Sequence, residues 1–115
     1  MEFERHNGTL HVSGVRELSA LNARFFRDEV CARLAPGLER IEIDFSETHL
    51  VDSCGLGALV SLYKATSGPT GPRRVVVRLL QPRPPIQQVF ELTRMHHLFE
   101  VVLPQDQPPA GSGPT

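Results

Sequence analysis

One stretch of this chain concentrates residue types that can do chemistry: Leu50-Val51-Asp52-Ser53-Cys54-Gly55-Leu56-Gly57-Ala58-Leu59. A carboxylate, a hydroxyl and a thiol stand at consecutive positions, and two glycines follow. Asp-Ser before an apolar periodic run is a helix-start signal. The Ser53 hydroxyl therefore has two readings. It is a helix cap, worth about 1 kcal/mol, or it is an acceptor for a phosphoryl group. Asp52 caps the same helix, orients Ser53 or contacts a partner. Cys54 sits where a helix N-terminus can lower a thiol pKa. A catalytic thiol also needs a base, and no histidine can be placed beside it from sequence, so small buried filler is the simpler role. Glycine in a helix costs about 1 kcal/mol relative to alanine. Gly55 and Gly57 therefore imply a backbone that must be bare, either for close packing against a sheet or for approach by a partner or phosphate to the free N–H groups of a helix start.

Other chemistries are missing from the string. G-x-S-x-G fails because Val51 stands two positions before Ser53, and although His49 is near, nothing supplies a third triad member. Gly55 and Gly57 do not extend to G-x-G-x-x-G, since position 60 is Val60. His96 and His97 are adjacent and point in different directions, a poor metal pair. No catalytic residue, metal ligand or cofactor is assigned, and the expectation is a binding module and not an enzyme.

The elements that must position this stretch follow from periodicity. Asn7-Gly8 lies between Phe3–His6 and Thr9–Val12, a strong hairpin signal because both residues tolerate positive φ. Leu18 to Leu34 reads as a helix, capped by Ser19 or Asn22 and stopped by Pro36-Gly37. Ala23, Phe26, Val30 and Leu34 form its apolar face, and Leu21 and Phe25 widen it. Ile41, Ile43 and Phe45 alternate as a strand. Ser46 to Val51 is a polar connection. A second helix runs from Cys54 to about Thr66, with Leu56, Leu59, Val60 and Tyr63 as its buried face. Ser67 to Pro72 is a loop. Val75-Val76-Val77 with Leu79-Leu80 reads as a central strand covered on both faces. Pro84 and Pro85 suit the first turn of a short helix bearing Ile86, Val89, Phe90 and Thr93, and Leu98 to Leu103 is a final strand. The order β-β-α-β-α-β-α-β predicts an α/β fold. An opening β-hairpin is followed by alternating α and β elements in a mixed sheet of about five strands, with three to four helices on one face or both. Residues 1–103 form the domain. Residues 104–115 are Pro/Gly-rich with little to bury, and are expected to be a disordered tail.

V-D-S-C-G-L-G-A-L resembles the D-S-(S/A)-G-L-G-x-L signature of STAS domains (sulphate transporter and anti-sigma factor antagonist). Upstream, I-E-I-D-F-S resembles the family's strand and its exit. Downstream, V-F-E-L-T-R-M-H-H-L-F-E-V resembles the family's closing segment. The likeness runs from about Thr9 to Leu103. It implies a bacterial anti-sigma factor antagonist acting in transcription regulation. In that group the serine after the motif aspartate, here Ser53, is phosphorylated by an anti-sigma factor of histidine-kinase-like fold that is also a serine kinase. The unphosphorylated form binds that partner, and the phosphorylated form does not. The resemblance implies that Asp52, Ser53, Cys54, Gly55, Leu56 and Gly57 contact the partner. A phosphate brings about 1.5 to 2 negative charges, and beside Asp52 it adds repulsion within the interface. The same family likeness also admits a subunit that docks on an ABC transporter ATPase without phosphorylation. Two positions depart from the pattern. The family's G-E-L-D before the first helix reads Arg16-Glu17-Leu18-Ser19 here, without the aspartate, and Arg94 stands where a glycine usually ends the third helix.

Composition agrees with a single small domain. The chain has 115 residues, 40% hydrophobic and 22% charged, with a net charge of -1. That balance offers no global attraction to nucleic acid or an anionic membrane. Arg73, Arg74, Arg78 and Arg83 lie close in sequence and read as solvated strand ends before they read as a phosphate-binding patch. Two cysteines, Cys31 and Cys54, make no disulfide framework. The start M-E-F-E-R-H-N-G is not a signal peptide, and no apolar run spans a bilayer. The expected state is a cytoplasmic monomer or weak dimer.

Overall fold

A computed structural model describes residues 1–67 and 75–103. The expected tail, and most of the loop after the second helix, lie outside the described residues. Strands β1 (Glu2–His6) and β2 (Thr9–Ser13) form the opening hairpin. Asn7 takes the positive φ of its turn, at 56°. The chain then runs through β3 (Glu17–Leu18), α1 (Ala23–Ala32), β4 (Arg40–Asp44), β5 (Leu50–Val51), α2 (Ser53–Ser67), β6 (Val76–Leu80), α3 (Pro84–Leu92), a 3-10 turn (Met95–His97) and β7 (Glu100–Val102).

The main sheet has the order β1-β2-β4-β6-β7. β1 is antiparallel to β2, and every other neighbouring pair is parallel. Leu10, Val12, Ile41, Ile43, Val77 and Leu79 all point to one face and are buried. The three helices pack on that face. Phe26 and Val30 of α1, Leu59 and Leu62 of α2, and Ile86 and Phe90 of α3 complete the core. Phe90 meets Phe45 edge to face with ring centroids 5.2 Å apart. The opposite face carries a row of paired charges. Glu42 lies between His11 and Arg78, and Arg78 reaches Glu100 as well, at 3.3–3.8 Å. The expectation that β6 is covered on both faces is therefore overturned. Val76 is exposed and Arg78 half-exposed, and the apolar run Val75–Val77 reflects β-branched strand preference as much as burial. Arg78 and Arg83 do not join into a free basic patch, because Arg83 donates to the Ser46 carbonyl. Arg73 and Arg74 lie outside the described residues.

Four further expectations are corrected. The first helix does not start at Leu18 but at Ala23. Glu17-Leu18 instead pairs with Leu50-Val51 as a second, two-stranded parallel sheet, so Ser46–Val51 is not wholly a connection. Leu21 and Phe25 do not widen the apolar face. They are 87% and 53% exposed. The buried face of α2 is rotated from the expected one. Gly55, Ala58, Leu59, Leu62 and Thr66 are buried, while Leu56, Val60 and Tyr63 are only partly so.

Arg94 ends α3 in the left-handed region, at φ 61°. A residue with a Cβ is held there at a cost of about 1–2 kcal/mol, which glycine avoids. Its side chain is exposed. Arg94→Gly is expected to stabilise the fold by about 0.5–1 kcal/mol after the added freedom of the unfolded chain is offset. Urea denaturation checks it, and a loss of stability would mean that the arginine side chain contributes more than the strain.

Candidate functional site

The parallel strands β2 and β4 end at Ser13 and Asp44. Beyond those ends the chain returns twice, through β3 and β5, and β5 delivers it directly into α2. Asp52 is the residue between β5 and α2. Its main-chain carbonyl accepts from Leu56 N at 2.9 Å, and its Oδ1 accepts from Gly55 N at 2.9 Å. Asp52 is therefore the helix cap. Its Oδ2 accepts from Ala20 N at 3.0 Å, across from the turn before α1. The Gly55 and Ala20 N–H groups hold the Asp52 carboxyl below its ordinary value of 3.8, since both stabilise the charged form.

Ser53 is thus not the cap. It is the first residue of α2, it is exposed, and its hydroxyl makes no hydrogen bond among the described residues. Cys54 is exposed, which corrects the reading of it as buried filler. The side chains sharing its groove include neither histidine nor carboxylate. Leu56 is half-buried against the core.

The two glycines separate cleanly. A Cβ built on Gly55 would lie 2.0 Å from the Leu18 carbonyl oxygen and 2.7 Å from its carbon. Gly55 is bare because the backbone of β3 crosses it. A Cβ on Gly57 would meet nothing within 4 Å. No packing within the described residues asks for glycine there.

The turn before α1 is tied at nearly every residue. Ser19 N donates to Asn22 Oδ1, Leu21 N to Ser19 Oγ, and Asn22 Nδ2 to the Glu17 carbonyl, at 2.8–3.2 Å. The Ser19 hydroxyl donates to the Glu17 carboxylate. Ser19, which stands where the family places an aspartate, is 3% exposed and is occupied within the turn. Sequence reasoning did not join this turn to Asp52. The Ser19-x-x-Asn22 spacing signals a turn, but nothing local shows that its Ala20 N–H meets a carboxylate 32 positions on.

The Asp52 geometry has a pH consequence. A lowered carboxyl pKa contributes stability that is complete above the unfolded value of 3.8 and is lost as pH falls through the folded value beneath it. Asp52→Asn is expected to flatten that part of the acid unfolding profile. Melting temperatures measured from neutral pH down to below 3.8 check it, and parallel profiles for the two proteins would show the carboxylate to be uninvolved.

Among the described residues no group of three His, Cys, Asp or Glu side chains is placed to hold a metal ion, and no helix is long and apolar enough to cross a membrane. The family model of the STAS domain matches residues 1–106. Solved structures with the same fold include a protein assigned as an anti-sigma factor antagonist, tm1081 of Thermotoga maritima. It is 22% identical, the alignment covers 88% of this chain and 84% of that one, and the TM-score is 0.75. The anti-sigma factor antagonist SpoIIAA in its unphosphorylated form is 20% identical over 79% of this chain and 81% of that one, with a TM-score of 0.58. Among curated protein sequences no relative matches.

Proposed function

The chain belongs to the STAS domain family, and on that premise we propose that it is an anti-sigma factor antagonist whose α2 start docks on the anti-sigma factor and whose release follows phosphorylation of Ser53. The partner is an anti-sigma factor of histidine-kinase-like fold with serine kinase activity. The chain itself is a binding module. Asp52, Ser53, Cys54, Gly55, Leu56 and Gly57 form the centre of the contact.

One observation carries this reading. Ser53 is exposed at the first position of α2, and its hydroxyl is left free because Asp52 does the capping. A kinase can take a proton from that hydroxyl and deliver a phosphoryl group without opening any bond of the fold. Partner and phosphate then compete for the same few residues.

The test uses the purified full chain, a kinase-type anti-sigma factor from the same organism, and ATP. Mass spectrometry is expected to find one phosphate, on Ser53, and calorimetry to find tight binding only before modification. Ser53→Ala is expected to bind normally, to take no phosphate and to melt within about 0.5 kcal/mol of the parent, as a surface change that removes no cap. No binding, or phosphate elsewhere, would overturn the proposal. Binding to a transporter ATPase in its place would support the docking role.

A further inference from the structure

Strand β1 is the last strand on its side of the main sheet. A tight two-residue turn joins His6 to Thr9, and the pair flanking such a turn is a hydrogen-bonded one. Bonded and non-bonded pairs alternate from there, so His6, Glu4 and Glu2 spend their main-chain groups on Thr9, His11 and Ser13. The N–H and C=O groups of Phe3 and Arg5 therefore point away from β2. Among the described residues no main-chain group bonds to them.

The two faces beside this open edge differ. On the helix side Phe3 lies under the Arg33 guanidinium, 4.6 Å from the ring centroid. Phe25 of α1 meets Phe3 edge to face at 6.1 Å and stays 53% exposed. On the other side Glu2, Glu4 and His6 are all exposed. Charges on an edge strand ordinarily repel a second chain. Here their arrangement is self-complementary, because a carboxylate and an imidazole stand two positions either side of Glu4.

We propose that β1 pairs antiparallel with β1 of a second copy of this chain, about a two-fold axis at Glu4, joining the two main sheets into one. The register follows from the geometry. A two-fold axis normal to the sheet keeps each face on its own side, so odd-numbered residues meet odd and even meet even. The outward groups belong to Phe3 and Arg5, so the bonded pairs must be odd. Centring on Glu4 sets Phe3 against Arg5 of the other copy twice, with both main-chain bonds made at each pair. It also sets Glu2 against His6 twice, a carboxylate facing a hydrogen-bond donor. Centring on Phe3 would oppose Glu2 and Glu4 twice. Centring on Arg5 would oppose two guanidinium groups and set Phe3 against Asn7, which the turn holds at φ 56°, outside the strand. The one like-charge contact in the chosen register is Glu4 with its own copy, at about 4.5 Å between Cα atoms. The Phe3–Phe25 pair supplies apolar area beside the seam.

Sedimentation equilibrium of the full chain is expected to show monomer and dimer with a Kd on the order of 10–100 µM, as suits a short seam. Glu4→Gln removes the like-charge contact and is expected to tighten the dimer about twofold to fivefold. Arg5→Pro deletes one outward N–H and no β1–β2 bond, and is expected to weaken it at least about tenfold. Cross-linking fixes the register. With Cys31→Ser and Cys54→Ser in place, Glu4→Cys is expected to oxidise to a covalent dimer bridged at position 4. Glu2→Cys in the same background is not, because the two thiols would lie about 14 Å apart along the strands. A chain that stays monomeric up to about 1 mM, a dimer that Glu4→Gln leaves unchanged, or equal cross-linking at positions 2 and 4 would overturn the proposal. Should Arg5→Pro not fold, the Glu4→Gln and cross-linking measurements still decide. None of these substitutions lies in residues 52–57, so the Ser53 reading is tested apart from this one.

Discussion

Gly55→Ala is expected to destabilise the protein by at least about 3 kcal/mol, beyond the usual range for a single methyl added to a surface helix. The added Cβ would sit 2.0 Å from the Leu18 carbonyl oxygen. That oxygen cannot step aside cheaply. It accepts from Asp52 N at 3.2 Å, and Leu18 is paired with Val51 in the small parallel sheet. Relief requires either that β3 leave β5 or that α2 lift from the core at its first turn, where Asp52 holds Gly55 N. Each breaks the unit that presents Ser53. Gly57→Ala is the matched control. It adds the same methyl two residues on, into open space, and is expected to raise stability by up to about 1 kcal/mol through helix propensity. Chemical denaturation of both variants decides it. If Gly55→Ala lies within about 1 kcal/mol of the parent, the helix start is more compliant than these contacts allow. If Gly57→Ala destabilises as much, the two glycines have the same role and the contrast between them is void.

That contrast also shows where sequence reading stops. The pair Gly55 and Gly57 was legible as a bare stretch of helix, and the two available reasons, packing and approach, could both be written down. Which glycine answers to which reason depends on Leu18, distant in sequence and contributed by a two-residue strand. A strand of two residues has no periodicity to detect. The same short strand accounts for the misplaced start of α1. Local rules see Leu18, Leu21 and Phe25 as one helical stripe, but pairing with Leu50-Val51 pulls Glu17-Leu18 out of the helix and leaves Leu21 and Phe25 outside the core. The opening hairpin, the alternation in β4 and the proline start of α3 were readable because each is written in adjacent residues. The rotation of the buried face of α2 was not. Leu56 and Tyr63 are large and apolar, whereas the positions that do face the sheet include Gly55, Ala58 and Thr66, whose small size lets the helix come close. Asp52 and Ser53 were both visible as helix-start residues. Their division of labour became apparent only with the Gly55 and Ala20 bonds, which occupy both oxygens of Asp52 and release Ser53 from capping.

Ser53→Asp is expected to weaken binding to the anti-sigma factor by about a hundredfold or more, about 2.8 kcal/mol at 1.4 kcal/mol per tenfold, while the fold stays intact. Stability is protected for two reasons. The cap belongs to Asp52, so the substitution removes no capping bond. A carboxylate at the first helical position also gains about 0.3–1 kcal/mol from the helix dipole at low salt, so the melting temperature should hold or rise slightly. Binding has no such protection. The new carboxylate stands next to Asp52, whose charged form is stabilised by its N–H donors. A partner seated on the α2 start would then have to bury two adjacent negative charges where the parent presents one. Aspartate carries less charge than phosphate, so the modified serine should bind more weakly still. The effect should shrink as salt is raised, because exposed charges at this distance are screened, whereas a defect of folding would not recover. The measurement is calorimetric affinity at low and high salt, with melting curves alongside. Binding equal to the parent at low salt would remove Ser53 from the interface and with it the switch. A loss of binding that salt leaves untouched would point to shape instead of charge, and Ser53→Asn, equal in size and neutral, would then bind as poorly as Ser53→Asp.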